Sequence, residues 1–223
     1  MTAQSLKLHI DNATISALLL RPDDARACFV LAHGAGAGMS HPFMETVATG
    51  LAARGVATLR YQFPYMEKGS KRPDAPAVAH TAVRAAVAEA ARACPDLPLV
   101  AGGKSFGGRM TSQAQVIAPL PGVRRLIFLG FPLHPAAKPS TERAAHLADV
   151  KIPMLFLQGT RDELAHLSLL EPVTRGLRSH ASLHVVKDGD HSLHVPARSG
   201  RNNAEVMAEV LEAVAAWITS LAG

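Results

Sequence analysis

A chain of 223 residues, 48% hydrophobic and 18% charged, is long enough to bury a sizeable core and is too apolar for a disordered segment. Its net charge of +5 arises from scattered Lys and Arg, with one cluster at Lys68, Lys71 and Arg72. No zinc-finger spacing or RNA-binding aromatic motif accompanies them, so nucleic acid is not an expected partner.

No apolar run approaches the ~18 residues that cross a bilayer, and MTAQSLKLHI lacks the basic and long apolar regions of a secretion signal. The expectation is a cytoplasmic protein without a membrane partner. Cys28 and Cys94, in an apolar run and at the end of a helical one, read as buried free thiols rather than a disulfide.

In chain order, LKLHI and ATISALLL predict two strands joined by a turn at Asp11-Asn12 and pairing antiparallel. ACFVLA (27–32) is a continuous apolar run, as in a strand buried on both faces. FMETVATGLAARG predicts a helix stopped by Gly55, and VATLRY (56–61) the next strand. After the polar loop QFPYMEKGSKRPD, residues 76–93 predict a helix with Pro76 in its first turn and Asp74 as a cap. PLVAG (98–102), VRRLIFLG (123–130), PMLFLQG (153–159) and SLHVV (182–186) predict four more strands. FGGRMTSQAQVIA reads as a helix, as does ELAHLSLLEPVTRGL, the latter kinked or divided by Pro172. In the last helix Val206, Val210, Leu211, Val214, Trp217, Ile218 and Leu221 share one face, and Asn202 with Glu205 forms a capping box. Strands alternating with helices imply one α/β domain over 1–223, with a mostly parallel sheet of about eight strands.

The stretch LPLVAGGKSFGGRM (97–110) permits two readings. A phosphate-binding loop needs a glycine five positions before Gly103, where Pro98 stands, and a loop between strand and lysine, where the strand runs almost directly into Lys104. A dinucleotide fingerprint in HGAGAGMS fails at Met39 in one frame and at His41 in the other. The second reading fits. Gly103-Lys104-Ser105-Phe106-Gly107 is G-x-S-x-G between a strand and a helix, which forms a sharp turn lifting a serine Oγ above the sheet. Small residues at 103 and 107 let strand and helix approach closely, and the helix N-terminus stabilises negative charge.

Serine needs a base and an orienting acid to become a nucleophile, and in such sites they follow in the order Ser, Asp or Glu, His. TRDEL after one strand offers Asp162, with Glu163 as the first helical residue; KDGDHSLHV after the last strand offers His191, with His194 structural and Asp188 and Asp190 as turn residues. The alternative readings are a helix cap for Asp162 and an ordinary turn histidine for His191. His191-x-x-His194 lacks the partners of a metal site, so neither metal nor other cofactor is expected. An oxyanion hole would draw on the N–H groups of Phe106 and Ala35, with Gly34 and Gly36 adjacent.

These residues carry a resemblance. HGAGAG, GKSFGG, Asp162 in GTRDEL and His191 in GDHSL resemble the α/β-hydrolase superfamily over nearly the whole chain, and within it the small, capless members near the dienelactone-hydrolase-like branch. Many of those have a cysteine nucleophile where Ser105 stands, so their substrate is not implied. RYQFPYMEKGSKRP and LGFPLHP further resemble a poorly characterised hydrolase-like family of bacteria and animals, whose animal relatives include a subunit of a nonspecific-lethal chromatin complex.

The resemblance implies a serine hydrolase with a Ser105–His191–Asp162 triad acting on a small ester-like substrate. An acyltransferase with the same triad, or a noncatalytic interaction module on the same fold, are the alternatives. Between Gly130 and Pro153 there is room for a short helix but not for a cap, which implies a shallow, open pocket. Phe63, Tyr65, Phe131, Leu133 and His134 are candidate walls. Lys104 and Arg161 lie either on the surface or against an anionic substrate, over which the basic loop 68–72 would close.

Overall fold

The computed structural model describes residues 1–10 and 13–220. The Asp11-Asn12 turn and Leu221 lie outside them. Eight strands form one sheet: β1 (Gln4–Ile10), β2 (Ala13–Leu20), β3 (Ala27–Ala32), β4 (Val56–Tyr61), β5 (Leu99–Lys104), β6 (Val123–Leu129), β7 (Met154–Gly159) and β8 (Ala181–Val186). Their spatial order is β1-β2-β4-β3-β5-β6-β7-β8. β1 and β2 pair antiparallel, β2 runs antiparallel to β4, and all later pairings are parallel.

The helices are α1 (Pro42–Ala52), α2 (Pro64–Glu67), α3 (Pro76–Ala93), α4 (Phe106–Ile117), α5 (Leu167–Gly176) and α6 (Asn203–Thr219). They cover both faces because successive residues of a buried strand point to opposite sides. Cys28 and Val30 enter the core under α3 and α4, while Phe29 and Leu31 pack with Val47 of α1 and Val210 of α6. Both cysteines are buried and free. Gly103 and Gly107 are where β5 and α4 press against the end of β3, and α4 itself comes closest to β5 at Gly108, where a Cβ would lie 2.8 Å from the Gly103 oxygen. A Cβ at Gly103 would lie 2.2 Å from the Ala32 oxygen, and one at Gly107 2.6 Å from the His33 oxygen.

Four local expectations need correction. Asp74 does not cap α3: its carboxylate accepts from the Tyr65 N–H at 2.7 Å, and the N-cap is Ala75, with no side-chain cap bond. The polar loop contains the short α2. The helix expected from Glu163 begins at Leu167 and runs through Pro172 undivided, because 163–166 are used to shape the loop after Asp162. Pro172 lacks an N–H but leaves the last turn intact. β5 extends two residues beyond its predicted end and takes in Lys104. The segment after β6 holds only a 3₁₀ stretch, Glu142–Asp149, so no cap domain is present among the described residues.

α6 closes the second face of the sheet. Val206, Val210, Leu211, Val214 and Ile218 are buried, and Trp217 is partly covered by the Arg125 guanidinium, 4.7 Å from its ring centre. Its start is fixed reciprocally: Glu205 N–H donates to Asn202 Oδ1 at 3.0 Å, and Asn202 N–H to Glu205 Oε2 at 3.1 Å. Replacing Asn202 by alanine removes the first of these bonds. The expected cost is about 1 kcal/mol, seen by calorimetry as a Tm lower by about 2–4 °C.

Candidate active site

β4 lies on one side of β3 and β5 on the other, so the chain reverses its winding between β3 and β5. The ends of these two strands border a crevice where open α/β sheets place ligands. From β3 the chain enters His33-Gly34-Ala35-Gly36. From β5 it enters Ser105, the N-cap of α4, at φ 49° and ψ −114°. This is a strained left-handed conformation for a residue with a side chain. It is held by the Ser105 N–H donating to the Leu129 oxygen at 3.2 Å and the Ser105 oxygen accepting from the Arg109 N–H at 3.1 Å.

The structure brings Ser105, His191 and Asp162 together. Ser105 Oγ lies 2.8 Å from His191 Nε2, and His191 Nδ1 lies 2.7 Å from Asp162 Oδ2. A carboxylate can only accept, so Nδ1 carries the hydrogen and Nε2 accepts from the serine hydroxyl. The Asp162 side chain is fully buried, whereas that of His191 is 23% exposed and faces the crevice. Asp162 Oδ1 accepts from the Leu164 N–H at 2.8 Å, and Oδ2 also accepts from the Gln158 amide. The other end of Gln158 accepts from the Phe131 N–H at 3.0 Å. Asp190 shapes the histidine loop, its Oδ1 accepting from the N–H groups of Ser192 at 2.7 Å and His194 at 2.9 Å. The loops that carry Asp162 and His191 are joined directly by the Arg161 N–H donating to the Gly189 oxygen at 2.8 Å.

A cavity of about 650 Å³ opens beside the serine, lined by Gly34, Ala35, Lys104, Ser105 and His191 together with Phe43, Met44, Leu193 and Met207. Of the expected walls, Gly34 and Lys104 are there. Phe63, Tyr65, Phe131, Leu133 and His134 are not: each is at most 2% exposed. The segments after β4 and β6 turn these side chains into the core. Phe63 packs edge-on against Phe106 at 5.3 Å, and Phe131 against Phe128 at 5.3 Å. The Tyr65 hydroxyl accepts from the Gly36 N–H at 3.3 Å, and His134 Nε2 accepts from the His166 N–H at 3.1 Å. They brace the loops and do not meet the cavity. Arg161 and the cluster Lys68, Lys71, Arg72 are exposed and lie outside its lining. The actual walls from α1 and α6 are apolar positions that look like core in sequence.

Lys104 is neither on a helix surface nor free. It is 9% exposed, and its ammonium donates to the His191 carbonyl at 2.5 Å. Burial pushes it down to about 8, against the pull of Asp162 and Asp190. His33, absent from the sequence-based site, supports the glycine loop. Its Nδ1 donates to the Gly34 oxygen at 2.8 Å and its Nε2 accepts from the Phe63 N–H at 3.1 Å. The Ala35 and Phe106 N–H groups have no acceptor among the described residues.

Residues 25–219 match the model of the alpha/beta hydrolase domain family. The chain belongs to that family. A dienelactone hydrolase from Anabaena variabilis superposes with a TM-score of 0.80 at 19% identity, covering 99% of both chains. A Xanthomonas campestris α/β serine hydrolase without lid gives 0.74 at 18% identity, covering 97% of this chain and 95% of that one. An α/β serine hydrolase homologue from Coxiella burnetii gives 0.75 at 20% identity, covering 95% and 96%. At these identities the likeness is one of fold. Among the described residues of this α/β-hydrolase-family chain, no helix is long and apolar enough to cross a membrane.

Burial pushes His33 from the ordinary 6.5 down to about 4, and His146 likewise to about 4. The unfolded chain therefore binds these protons at a higher pH than the folded chain does. Stability should fall as pH drops from about 6.5 to about 4 and these two groups should add no further loss below that. Urea midpoints across this range test the sign. His33→Gln, with one such group removed, should show a shallower fall than the native protein.

Proposed function

We propose that this protein is a serine esterase acting on small, uncharged acyl esters through Ser105, His191 and Asp162. The observation that carries the reading is the continuous hydrogen-bond relay from the buried Asp162 through His191 to Ser105 Oγ, at the wall of a largely apolar cavity. Family membership supports hydrolase chemistry. Neighbours described as serine hydrolases, one of them without a lid, support the absence of interfacial activation.

In this mechanism His191 Nε2 accepts the hydroxyl proton as Ser105 Oγ attacks the ester carbonyl. Asp162 keeps Nδ1 protonated and stabilises the imidazolium. The carbonyl oxygen becomes negative at the start of α4, where the Phe106 and Ala35 N–H groups are free to donate and the positive end of the helix dipole adds to them. His191 then protonates the departing alcohol, leaving an acyl group on Ser105. Water, activated by the same imidazole, attacks the acyl-enzyme, and collapse of the second tetrahedral intermediate frees the acid. Phe43, Met44, Leu193 and Met207 offer apolar surface to the acyl or alcohol part. No step uses a metal or other cofactor.

The test is hydrolysis of p-nitrophenyl acetate, butyrate and longer esters. Short chains should give the highest kcat/KM, and Ser105→Ala and His191→Ala should each lower kcat by at least about 10³-fold. Undiminished turnover in either variant would overturn the reading.

Lys104 has a separate expected effect. Lys104→Met leaves the buried His191 carbonyl without its donor, so kcat should fall about tenfold while KM for an uncharged ester stays within about twofold. A raised KM at unchanged kcat would instead place the ammonium against the substrate.

A further inference from the structure

Outside the cavity, α3, α4 and the 3₁₀ stretch Glu142–Asp149 run side by side, each leading away from the strand ends that carry the site. Two contacts fix their register: Ser112 Oγ lies 2.8 Å from His146 Nε2, and His80 Nε2 lies 3.2 Å from Gln113 Oε1. One turn nearer the catalytic end, each of two elements carries an arginine, Arg109 on α4 and Arg143 on the 3₁₀ stretch. Both are half-buried.

Among the described residues neither guanidinium has a hydrogen bond or an ion pair, and the Arg109 Nε is fully buried without a partner. The nearest acids in sequence, Glu142 and Asp149, are exposed and form no ion pair among the described residues. Burial is the main reason the charge on Arg109 is disfavoured, and the like charge of Arg143 adds to it. Arg109 also stands in the first turn of its helix, where the dipole repels a cation. Arg84, the other arginine near His80, is satisfied by the Ala114 and Ala118 carbonyls.

We propose that Arg109 and Arg143 form a binding site for a phosphate-type dianion, separate from the catalytic cavity. The charge count selects the ligand. Burial keeps His146 neutral near pH 7 and lowers His80 as well; Arg84 is held at the far end of α4 and Asp149 acts on His146, so the charges without a hydrogen-bond or ion-pair partner are those of Arg109 and Arg143. A tetrahedral dianion balances both charges and has enough oxygens to take paired N–H groups from each fork. A single carboxylate satisfies only one fork. Binding would offset the like charge that Arg143 adds to Arg109 and would supply acceptors to two guanidinium groups that have none among the described residues.

Calorimetric titration with inorganic phosphate, at pH 7.5 and constant ionic strength set with sodium chloride, tests this without reference to catalysis. One phosphate should bind per chain. Arg109→Gln and Arg143→Gln should each weaken binding at least about tenfold, and Arg124→Gln, an exposed arginine on β6, should leave it unchanged.

Without phosphate, Arg143→Gln should melt no lower than the native protein, because it relieves repulsion. A merely structural arginine would lower the Tm. Phosphate should raise the Tm of the native protein and not that of the variant. Methyl phosphate binding as well as the free ion would show a site for a phosphorylated molecule, and binding of the free ion alone would show a site for phosphate itself. Absence of binding to the native protein, or equal binding to native protein, Arg143→Gln and Arg124→Gln, would overturn the proposal. If Arg109→Gln fails to fold, Arg143→Gln decides.

Discussion

At Ser105 a residue with a side chain is held at φ 49° and ψ −114°, a conformation costing on the order of 1–3 kcal/mol. The sheet around it is built to sustain that strain. β5 is paired on both sides up to the turn, so the strand cannot relax sideways. Gly103 and Gly107 place strand and helix backbones against the end of β3, where any larger residue would collide. The compensation is positional. The hydroxyl stands clear of the sheet at the start of α4, beside the loop after β3 and within reach of the loops after β7 and β8.

Those loops are held by a set of hydrogen bonds as well as by the buried Ala165 and Leu193. Gln158 and the Leu164 N–H occupy Asp162, so the buried carboxylate presents one oxygen to His191 in one direction. His134 ties the Asp162 loop to the segment after β6, Asp190 folds the histidine loop on itself, and Lys104 holds that loop by the His191 carbonyl. His33, neutral with both nitrogens in use, does the same for the glycine loop. Apart from the half-buried Asp190, each is a buried polar group with a hydrogen-bond partner. A network of this kind fixes geometry and is costly to break at any one point. The proposed catalytic groups therefore stand on a frame that is set before a substrate arrives.

Much of this frame is legible in sequence because buried strands are written as unbroken apolar runs; ACFVLA and VATLRY coincide with β3 and β4 to the residue. G-x-S-x-G and the order of acid and histidine follow the chain, so their loops could be placed. What was misread depended on partners distant in sequence. Phe63, Tyr65 and Phe131 are apolar residues beside site loops, and nothing local says whether they turn inward or toward the crevice. Phe43 and Met207 meet across the cavity only once α1 and α6 lie side by side. Glu163 belongs to a helical pattern locally, but the Leu164 carbonyl and the His166 N–H are both taken by His134, a partner distant in sequence, and the helix begins only at Leu167. Two missed residues had a signal: Gln158 is the only polar side chain in MLFLQG, and His33 follows a strand with no polar neighbour to pair with.

The central claim is that Ser105 is an activated nucleophile, and covalent capture tests it most directly. The folded protein would be treated with a fluorophosphonate and its peptides read by mass spectrometry. The account predicts one adduct, on Ser105, absent from Ser105→Ala and formed far more slowly in His191→Ala. Folded protein that forms no adduct, or forms it at another residue, would contradict it.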